Sequence, residues 1–263
     1  MTRPLDKLRD RFWRLNNLYY ITDKNGKKVK FKMTPEQLDY FDNEWHRNII
    51  LKARQLGFTT EKCIIQLDAA IFEGKKCALI AHTLHDAKRL FREKTKYAYE
   101  RLPDLIKQAN PVVIENKDEL VFEKGGSVTV STTFRGGTLQ RLHVSEFGKI
   151  CAKYPEKARE ILTGAVEAVG VDGVATFEST AEGRQGLFFT LSDTAEKQKL
   201  SGKPLSKQEY KFFFYSWHQM PEYVMPAQPL PERLINYFDR LEHKHGIKLT
   251  DEQKSWYYGK RKL

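Results

Sequence analysis

Residues 52–60 read Lys-Ala-Arg-Gln-Leu-Gly-Phe-Thr-Thr, and they are the most informative segment of the chain. A short apolar strand is predicted just before it, at residues 48–51. An amphipathic helix is predicted after it, at residues 60–72, and ends before Gly74. A strand that turns sharply into a helix can bind a nucleotide phosphate. Such a site needs backbone N–H groups, the positive end of a helix, a cation and a hydroxyl for a metal ion.

The loop contains each of these groups. Gly57 permits the tight turn, Thr59 offers a hydroxyl for Mg²⁺, and Lys52, Arg54 or both can supply the cation. The common pattern GxxxxGK[ST] is only partly matched, because Phe58 stands at the lysine position and the first glycine is missing. An ordinary strand–turn–helix corner therefore stays an alternative. The candidate nucleotide-binding residues of the loop are Lys52, Arg54, Gln55, Gly57, Phe58, Thr59 and Thr60.

A second candidate segment is the apolar strand predicted at residues 142–145, which leads into Glu146. In P-loop enzymes a strand beside the phosphate loop carries carboxylates toward Mg²⁺ and the attacking water. Glu146 is therefore the candidate general base for attack on a γ-phosphate. Ser145 takes the place of the usual aspartate and can order water on the metal, so the predicted metal residues are Thr59, Ser145 and Glu146. A strand-end glutamate on a solvated loop is the alternative.

A third segment is the strand predicted at residues 174–177, which runs into a polar turn at residues 178–183. Open α/β sheets bind ligands at the carboxyl ends of their strands. Hydroxyl groups at this position can sense a γ-phosphate, so Ser179 and Thr180 are candidate coupling residues.

The rest of the chain alternates between strand and helix patterns, which predicts an α/β fold with a mostly parallel sheet flanked by helices. Residues 191–208 are polar and are predicted to form a surface loop. Further strands are predicted at residues 77–81, 112–114, 120–122, 127–131 and 212–215. Further helices are predicted from residue 34, at residues 86–102, 155–166 and 231–242, and from residue 250.

Composition limits the class of protein. The 263 residues are 40% hydrophobic and 30% charged, which is enough for a sizeable core and argues against disorder over most of the chain. No apolar run approaches the roughly 20 residues of a membrane span, and the charged first ten residues lack a signal-peptide pattern, so we expect a soluble cytosolic protein. The three cysteines, Cys63, Cys77 and Cys151, are odd in number and form no CxxC motif, so they are expected to be reduced thiols.

The formal net charge is +11, which favours a polyanionic partner such as nucleic acid. A surplus of lysine that serves only solubility would give the same charge, so charge alone leaves both interpretations open.

Taken in order, the three segments resemble the ATPase domain of viral terminase large subunits, which are DNA-packaging motors of the additional-strand, catalytic-glutamate class. The loop is similar to the variant phosphate loop of that family. The strand that ends in Ser145-Glu146 and the turn at residues 179–183 are similar to its catalytic strand and its coupling motif. The segment at residues 34–37 resembles the adenine-reading Q motif, which makes Gln37 a further candidate nucleotide-binding residue. Residues 213–223 and 249–256 resemble the strand and lid that follow.

The resemblance implies a RecA-like P-loop NTPase fold with a small C-terminal helical lid. It implies an ATPase core at residues 1–217, including the adenine-binding segment, and a lid or linker subdomain at residues 218–263. The nuclease domain of the family is expected to be absent from this chain, and no nuclease activity is expected.

The resemblance also implies a function. ATP and Mg²⁺ are the expected cofactors, and hydrolysis would power translocation of double-stranded DNA into a procapsid. The expected partners are DNA, the portal protein, the small terminase subunit and further copies of the chain in a ring, in the host cytoplasm. Arg135 lies at the position of an arginine finger and is expected to be catalytic with Glu146, either in its own subunit or on the ATP of a neighbouring subunit. A solvated arginine in a turn is the alternative.

Two other functions compete with this expectation. Residues 82–87 follow a predicted strand and are compatible with a nucleic-acid-contacting motif of a superfamily 2 helicase or translocase. A basic nucleic-acid-binding module with a degenerate phosphate loop is the alternative that is not an enzyme.

Overall fold

Strands and helices alternate along the chain in the computed structural model, which describes residues 6–134 and 136–261. The strands are β1 (Tyr20–Thr22), β2 (Lys28–Lys30), β3 (Arg47–Lys52), β4 (Lys76–Ile80), β5 (Val112–Glu115), β6 (Glu119–Phe122), β7 (Ser127–Ser131), β8 (Leu139–Ser145), β9 (Val169–Ser179) and β10 (Tyr210–Tyr215).

The helices mostly follow the predicted order. The α-helices are α1 (Arg11–Asn17), α2 (Pro35–Asn43), α3 (Phe58–Glu73), α4 (Leu84–Leu90), α5 (Tyr97–Glu100), α6 (Asp104–Ala109), α7 (Phe147–Lys153), α8 (Pro155–Glu160), α9 (Gly186–Ser201), α10 (Glu232–His245) and α11 (Asp251–Arg261). Short 3₁₀ turns occur at Asp6–Arg9 and Trp217–Gln219, and π-helical turns at Phe91–Lys96 and Ile161–Ala165. Within the described ranges no helix is long and apolar enough to cross a lipid bilayer.

An eight-stranded sheet organises the chain, in the order β10-β3-β9-β8-β4-β7-β6-β5. The neighbours from β3 to β7 are parallel, and β7, β6 and β5 form an antiparallel edge. The predicted α/β fold with a mostly parallel sheet is therefore confirmed. β9 is inserted between β3, which leads into the loop at residues 52–60, and β8, which ends at Ser145. Three candidate segments are thus carried by three adjacent strands.

Helices cover both faces of this sheet. Successive side chains of a strand point to opposite faces, so one strand can contribute to the core on each side. Along β4, Leu79 belongs to one apolar cluster, which includes Ile64 and Leu67 of α3. Ala78 and Ile80 belong to a second cluster, which includes residues of α7 and α9. The long helix α3 is therefore fixed by core packing directly behind the loop that precedes it.

Two predicted elements differ from the structure. The helix predicted at residues 86–102 begins at Leu84, because Thr83 accepts a hydrogen bond from Asp86 N, and its middle is π-helical. The prediction of a loop at residues 191–208 was wrong for its first part, because α9 extends to Ser201. Only Phe188, Ser192 and Ala195 of α9 are buried, so the apolar stripe that indicates a helix is almost missing from its sequence.

A buried ion pair joins the N-terminal helix to α3. The Arg14 guanidinium of α1 donates two hydrogen bonds to the Asp68 carboxylate, at 3.0 Å (Nε–Oδ1) and 2.7 Å (Nη2–Oδ2). Tyr19 Oη donates to the same carboxylate at 2.8 Å. The Arg14 and Asp68 side chains are only 6% and 0% exposed, so the pair is shielded from solvent. This contact fixes α1 against the helix that follows the phosphate loop.

A second buried pair lies toward the amino end of β8. Glu44 accepts a hydrogen bond from Arg141 and another from Tyr40 Oη at 3.1 Å. Burial by itself would raise the pKa of Glu44, but the positive charges of Arg141, Arg11 and Lys62 lower it to about 2. Glu44 therefore remains an ionised, structural carboxylate.

The chain divides into two compact units, residues 1–214 and 215–263. The second unit is helical, and its core contains Leu234, Phe238 and Leu249. Stacked rings support it, with Trp256 lying 4.4 Å from Tyr223 and 5.0 Å from Trp217 between centroids. The predicted functional division after residue 217, and the role of residues 218–263 as a lid, remain predictions.

Candidate nucleotide site

The carboxyl ends of β3, β9 and β8 lie side by side. In the parallel register, Leu51 pairs with Ser179 and Ser145 pairs with Glu178. The loop after β3, the turn after β9 and Glu146 after β8 therefore meet at one edge of the sheet. This is the convergence that the sequence predicted for a phosphate site.

The loop at residues 53–57 turns through two left-handed residues. Gln55 has φ of 60° and Gly57 has φ of 73°, and Gly57 is the N-cap of α3. The left-handed backbone at position 57 favours glycine, and a Cβ there would also come within 2.8 Å of Gln37 Nε2 and displace that side chain. The first N–H groups of an α-helix have no partners inside the helix, and the helix dipole makes this end positive. The start of α3 is thus suited to bind a phosphate.

Gln37 connects this loop to α2. Its Oε1 accepts from Thr34 N at 3.0 Å, its Nε2 donates to Leu56 O at 3.2 Å, and the side chain is buried. Gln37 therefore completes a capping box at the start of α2 and also supports the loop. Its predicted contact with adenine remains a prediction.

The loop residues divide into buried and accessible groups. Phe58 is fully buried and packs edge-on against Tyr40, with ring centroids 6.2 Å apart. Its ring therefore belongs to the core, and its backbone forms the first residue of α3. Arg54 and Gln55 are exposed, whereas Thr59 and Thr60 are half-buried.

Glu178, a fully buried glutamate at the end of β9, lies at the centre of the site. Its Oε1 accepts hydrogen bonds from Thr59 Oγ1 at 2.5 Å and from Ser145 Oγ at 3.0 Å. His143 Nε2 lies 3.3 Å from the same oxygen, and Lys52 Nζ lies 3.0 Å from Oε2. One carboxylate thus contacts groups from the loop, from α3 and from β8.

The charges of this cluster are stabilised inside the protein. Burial alone would raise the pKa of Glu178, but Lys52 and His143 hold it well below its usual range. Burial alone would lower the pKa of Lys52, but the Glu178 and Glu146 carboxylates raise it. Burial lowers the pKa of His143, so its imidazole is neutral near pH 7. The centre of the site is therefore a Lys52–Glu178 ion pair.

Glu146 has an unusual backbone conformation. Its φ is 54°, and among the described non-glycine residues only Gln55 and Glu146 have positive φ. Such residues carry local strain and occur often at functional sites. The Glu146 side chain is 32% exposed, and its Oε1 lies 3.7 Å from Lys52 Nζ. The turn therefore presents a carboxylate to solvent beside a buried cation.

A cleft of about 240 Å³ opens in front of this carboxylate. Thr59, Ser145 and Glu146 line it together with Arg89 and Lys149. Asp86 lines it too and forms an ion pair with Arg89 at 3.2 Å, so two hydroxyls, two carboxylates and two cations surround one small polar volume.

The coupling candidates lie behind Glu146. Ser179 is fully buried, and Thr180 is half-buried. A Cβ on Gly148 would come within 2.8 Å of Ser179 Oγ and 3.1 Å of Thr180 O, so the first turn of α7 lies very close to this strand end. The turn after β9 and the helix after Glu146 are therefore in direct contact.

The donor groups fit magnesium only together with a nucleotide. No group of three or more His, Cys, Asp or Glu side chains that could hold a metal occurs at residues 6–134 or 136–261. Mg²⁺ in nucleotide sites is held by one or two carboxylates and by phosphate oxygens, and it keeps several waters. Thr59, Ser145, Glu146 and Glu178 provide hydroxyls and carboxylates of this type.

One predicted residue lies outside the described ranges, and two site residues were not predicted. Arg135, the candidate arginine finger, lies outside the described residues. Glu178 and His143 were not predicted as site residues, although Glu178 directly precedes the candidate Ser179. An acidic residue at the buried end of an apolar strand is the sequence signal that could have identified Glu178.

Comparison with known proteins identifies the fold. No protein-family model and no curated protein sequence matches the chain. The structure is similar to the large terminase of bacteriophage HK97, with a TM-score of 0.61 and 15% identity, over 99% of this chain and 52% of that protein. It is also similar to the ATPase domain of the large terminase of Thermus phage P74-26, with a TM-score of 0.54 and 19% identity, over 80% of this chain and 88% of that domain.

This chain spans about half the length of the HK97 large terminase. The similarity to the isolated ATPase domain includes most of that domain, and the implied P-loop fold is thereby confirmed. The chain has the fold of the ATPase domain of phage large terminases.

Proposed function

We propose that this chain binds and hydrolyses ATP with Mg²⁺ and acts as the motor domain that moves double-stranded DNA into a viral procapsid. The observation that carries the proposal is the meeting of three groups at one sheet edge: the helix start at Thr59, the buried Lys52 and the strained Glu146. An ordinary strand–turn–helix corner does not require a buried ion pair such as Lys52–Glu178 or a glutamate with positive φ such as Glu146.

The proposed binding of ATP rests on the loop at residues 52–60. The phosphates would lie against the N–H groups at the start of α3, with Arg54 and Lys52 as the cations. The Thr59 hydroxyl would hold Mg²⁺, assisted by Ser145 and Glu146, and the metal would neutralise phosphate charge. Gln37, Gln55, Gly57, Phe58 and Thr60 shape or line the same turn.

Hydrolysis requires a group that positions and polarises water. Glu146 is accessible and ionisable at the cleft beside Thr59, as this role requires. Lys52 Nζ lies 3.7 Å from Glu146 Oε1, close enough to help orient this carboxylate. Ser179 and Thr180 would then transmit the state of the γ-phosphate through their contact with α7.

Substitution of the two loop cations, Lys52 and Arg54, tests whether the loop binds nucleotide. We expect the double variant Lys52→Ala/Arg54→Ala to lose measurable affinity for a fluorescent ATP analogue, because both cations proposed to bind the phosphates are removed. Arg54→Ala alone should weaken binding while leaving the buried Lys52–Glu178 pair intact. Fluorescence titration measures both.

A matched control removes two exposed cations far along the chain, with Lys197→Ala/Lys203→Ala on and just after α9. That variant should bind the analogue like the wild type. Wild-type affinity in the Lys52/Arg54 double variant would show that the loop does not bind phosphate.

DNA is the proposed polyanion. The net charge of +11 supports contacts to the phosphate backbone rather than to bases. Such binding weakens steeply as salt is added and shows little preference for sequence, so affinities measured at several salt concentrations on unrelated duplexes test it. The portal protein and the small terminase subunit are proposed as the partners that recruit the motor to the procapsid.

Ring assembly is proposed because an arginine in trans couples hydrolysis to subunit geometry. Arg135→Ala and Glu146→Gln should each be inactive. Mixing them under conditions that permit assembly should restore some ATPase activity, since an intact Arg135 can face an intact Glu146 across a mixed interface. Activity that never exceeds the sum of the two separate variants would contradict action in trans.

A further inference from the structure

The magnesium site of this chain lacks one expected group. In P-loop enzymes Mg²⁺ is held by the hydroxyl of the loop and by an aspartate on a neighbouring strand. Ser145 occupies that strand position here, and its hydroxyl carries no negative charge. Mg²⁺ prefers charged oxygen ligands, so a serine alone is a weak replacement for the aspartate.

A carboxylate reaches the same place from the adjacent strand. Glu178 of β9 is the register partner of Ser145 of β8. Its Oε1 accepts one hydrogen bond from Ser145 Oγ at 3.0 Å and another from Thr59 Oγ1 at 2.5 Å. One oxygen therefore connects the hydroxyl proposed to bind the metal with the residue at the aspartate position.

Burying the charged side chain of Glu178 costs free energy unless other groups compensate the charge. The side chain is 0% exposed, and Lys52 is its ion-pair partner at 3.0 Å. Carboxylates are almost never fully buried without a partner, and an apolar residue usually occupies the interior position of such a strand. The structure also holds this carboxylate at a fixed point, because Thr59, Ser145, His143 and Lys52 contact it from several sides.

Resting on the function proposed above, we propose that Glu178 supplies the carboxylate of the magnesium site in place of the missing aspartate. It acts as a positioning residue: it fixes the Thr59 hydroxyl and contributes the negative charge that Ser145 lacks. Lys52 neutralises this charge when no divalent cation is present. The site is thus assembled from adjacent strands, with the serine on β8 and the acid on β9.

The first test measures metal binding directly. Mn²⁺ replaces Mg²⁺ as the probe, and its affinity for the ADP complex is measured by electron paramagnetic resonance in the wild type and in Glu178→Gln. Loss of a group that orients a metal ligand costs about 10- to 100-fold in metal affinity, and we expect a loss of this size. Binding of a fluorescent ADP analogue in EDTA should be kept or increased in the variant, because Lys52 no longer has Glu178 as a charged partner.

A control and a rescue separate this role from a purely structural one. Glu44→Gln removes another ion-paired carboxylate, 12% exposed, toward the opposite end of β8, and should leave Mn²⁺ affinity unchanged. In Ser145→Asp/Glu178→Gln the carboxylate returns to the aspartate position, so much of the Mn²⁺ affinity should return. If Glu178→Gln does not fold, Glu178→Asp keeps the charge, draws the carboxylate back by one methylene and should also weaken Mn²⁺ binding.

Several outcomes would overturn the assignment. Wild-type Mn²⁺ affinity in the folded Glu178 variant would show that the metal does not depend on this carboxylate. An equal loss in Glu44→Gln, or no recovery in the double variant, would show that the loss reflects general damage to the fold. If the wild type binds no nucleotide even in EDTA, the proposed function fails, and this inference fails with it.

Discussion

Glu146→Gln is expected to reduce ATP turnover by about 10²- to 10⁴-fold, the usual contribution of a positioned general base. Gln keeps the shape of the side chain and can adopt the same left-handed backbone, but it cannot accept a proton from water. Nucleotide affinity should be retained, because the start of α3 and the cations of the loop are unchanged. Steady-state phosphate release and analogue titration measure the two quantities separately.

The control for this variant is Glu156→Gln, an equally conservative change at an exposed glutamate of α8 whose side chain is 83% exposed. Its turnover should equal that of the wild type. Full turnover in Glu146→Gln would remove Glu146 from the chemistry, and loss of nucleotide binding would indicate that the variant disturbs the loop instead.

The largest expected effect on stability comes from Arg14→Met. The change leaves the buried Asp68 carboxylate with Tyr19 as a donor but without its cation. Breaking a buried ion pair by removing one partner costs about 3–5 kcal/mol, because an uncompensated charge stays in the interior. Urea unfolding of the nucleotide-free chain should show this as a lower midpoint with an unchanged slope.

Two further variants complete that experiment. Arg14→Met/Asp68→Asn removes the stranded charge and keeps an oxygen for Tyr19, so part of the lost stability should return. Arg159→Met breaks an exposed pair with Glu156 and should have little effect, since surface ion pairs contribute little. Equal midpoints for Arg14→Met and the wild type would show that α1 is not held by this contact.

The strands that carry the site could be predicted from the sequence, because the pattern of a strand and the position of its end depend on residues that are adjacent in the chain. The apolar runs before Lys52 and before Glu146 each predict a buried strand, and parallel strands place their carboxyl ends together. Gly57 was predicted to permit the turn, and its left-handed conformation confirms this. These features depend on neighbouring residues of the chain, so a single sequence contains them.

The centre of the site could not be predicted in the same way, because it depends on which strands are neighbours. Glu178 becomes important only once β9 lies between β3 and β8, where it reaches Thr59, Ser145 and Lys52. Sequence spacing does not show this order. The separation of 119 residues between Thr59 and Glu178 illustrates how far apart the two partners lie in the chain.

Other differences have local physical causes. Helix α9 was interpreted as a loop because it buries so few of its side chains. Phe58 was predicted as a nucleotide-binding residue, and the structure shows that its ring belongs to the core beside Tyr40 while its backbone starts α3. In both cases the packing of the folded chain decides the role of a residue that its type alone leaves open.

ATP and Mg²⁺ are proposed to bind at the sheet edge formed by β3, β9 and β8. A crystal structure of this chain with a non-hydrolysable ATP analogue and Mg²⁺ tests it most directly. We expect the phosphates against the loop at residues 52–60, the metal beside Thr59, and the γ-phosphate facing Glu146. Nucleotide bound elsewhere, or a γ-phosphate that points away from Glu146, would contradict the account.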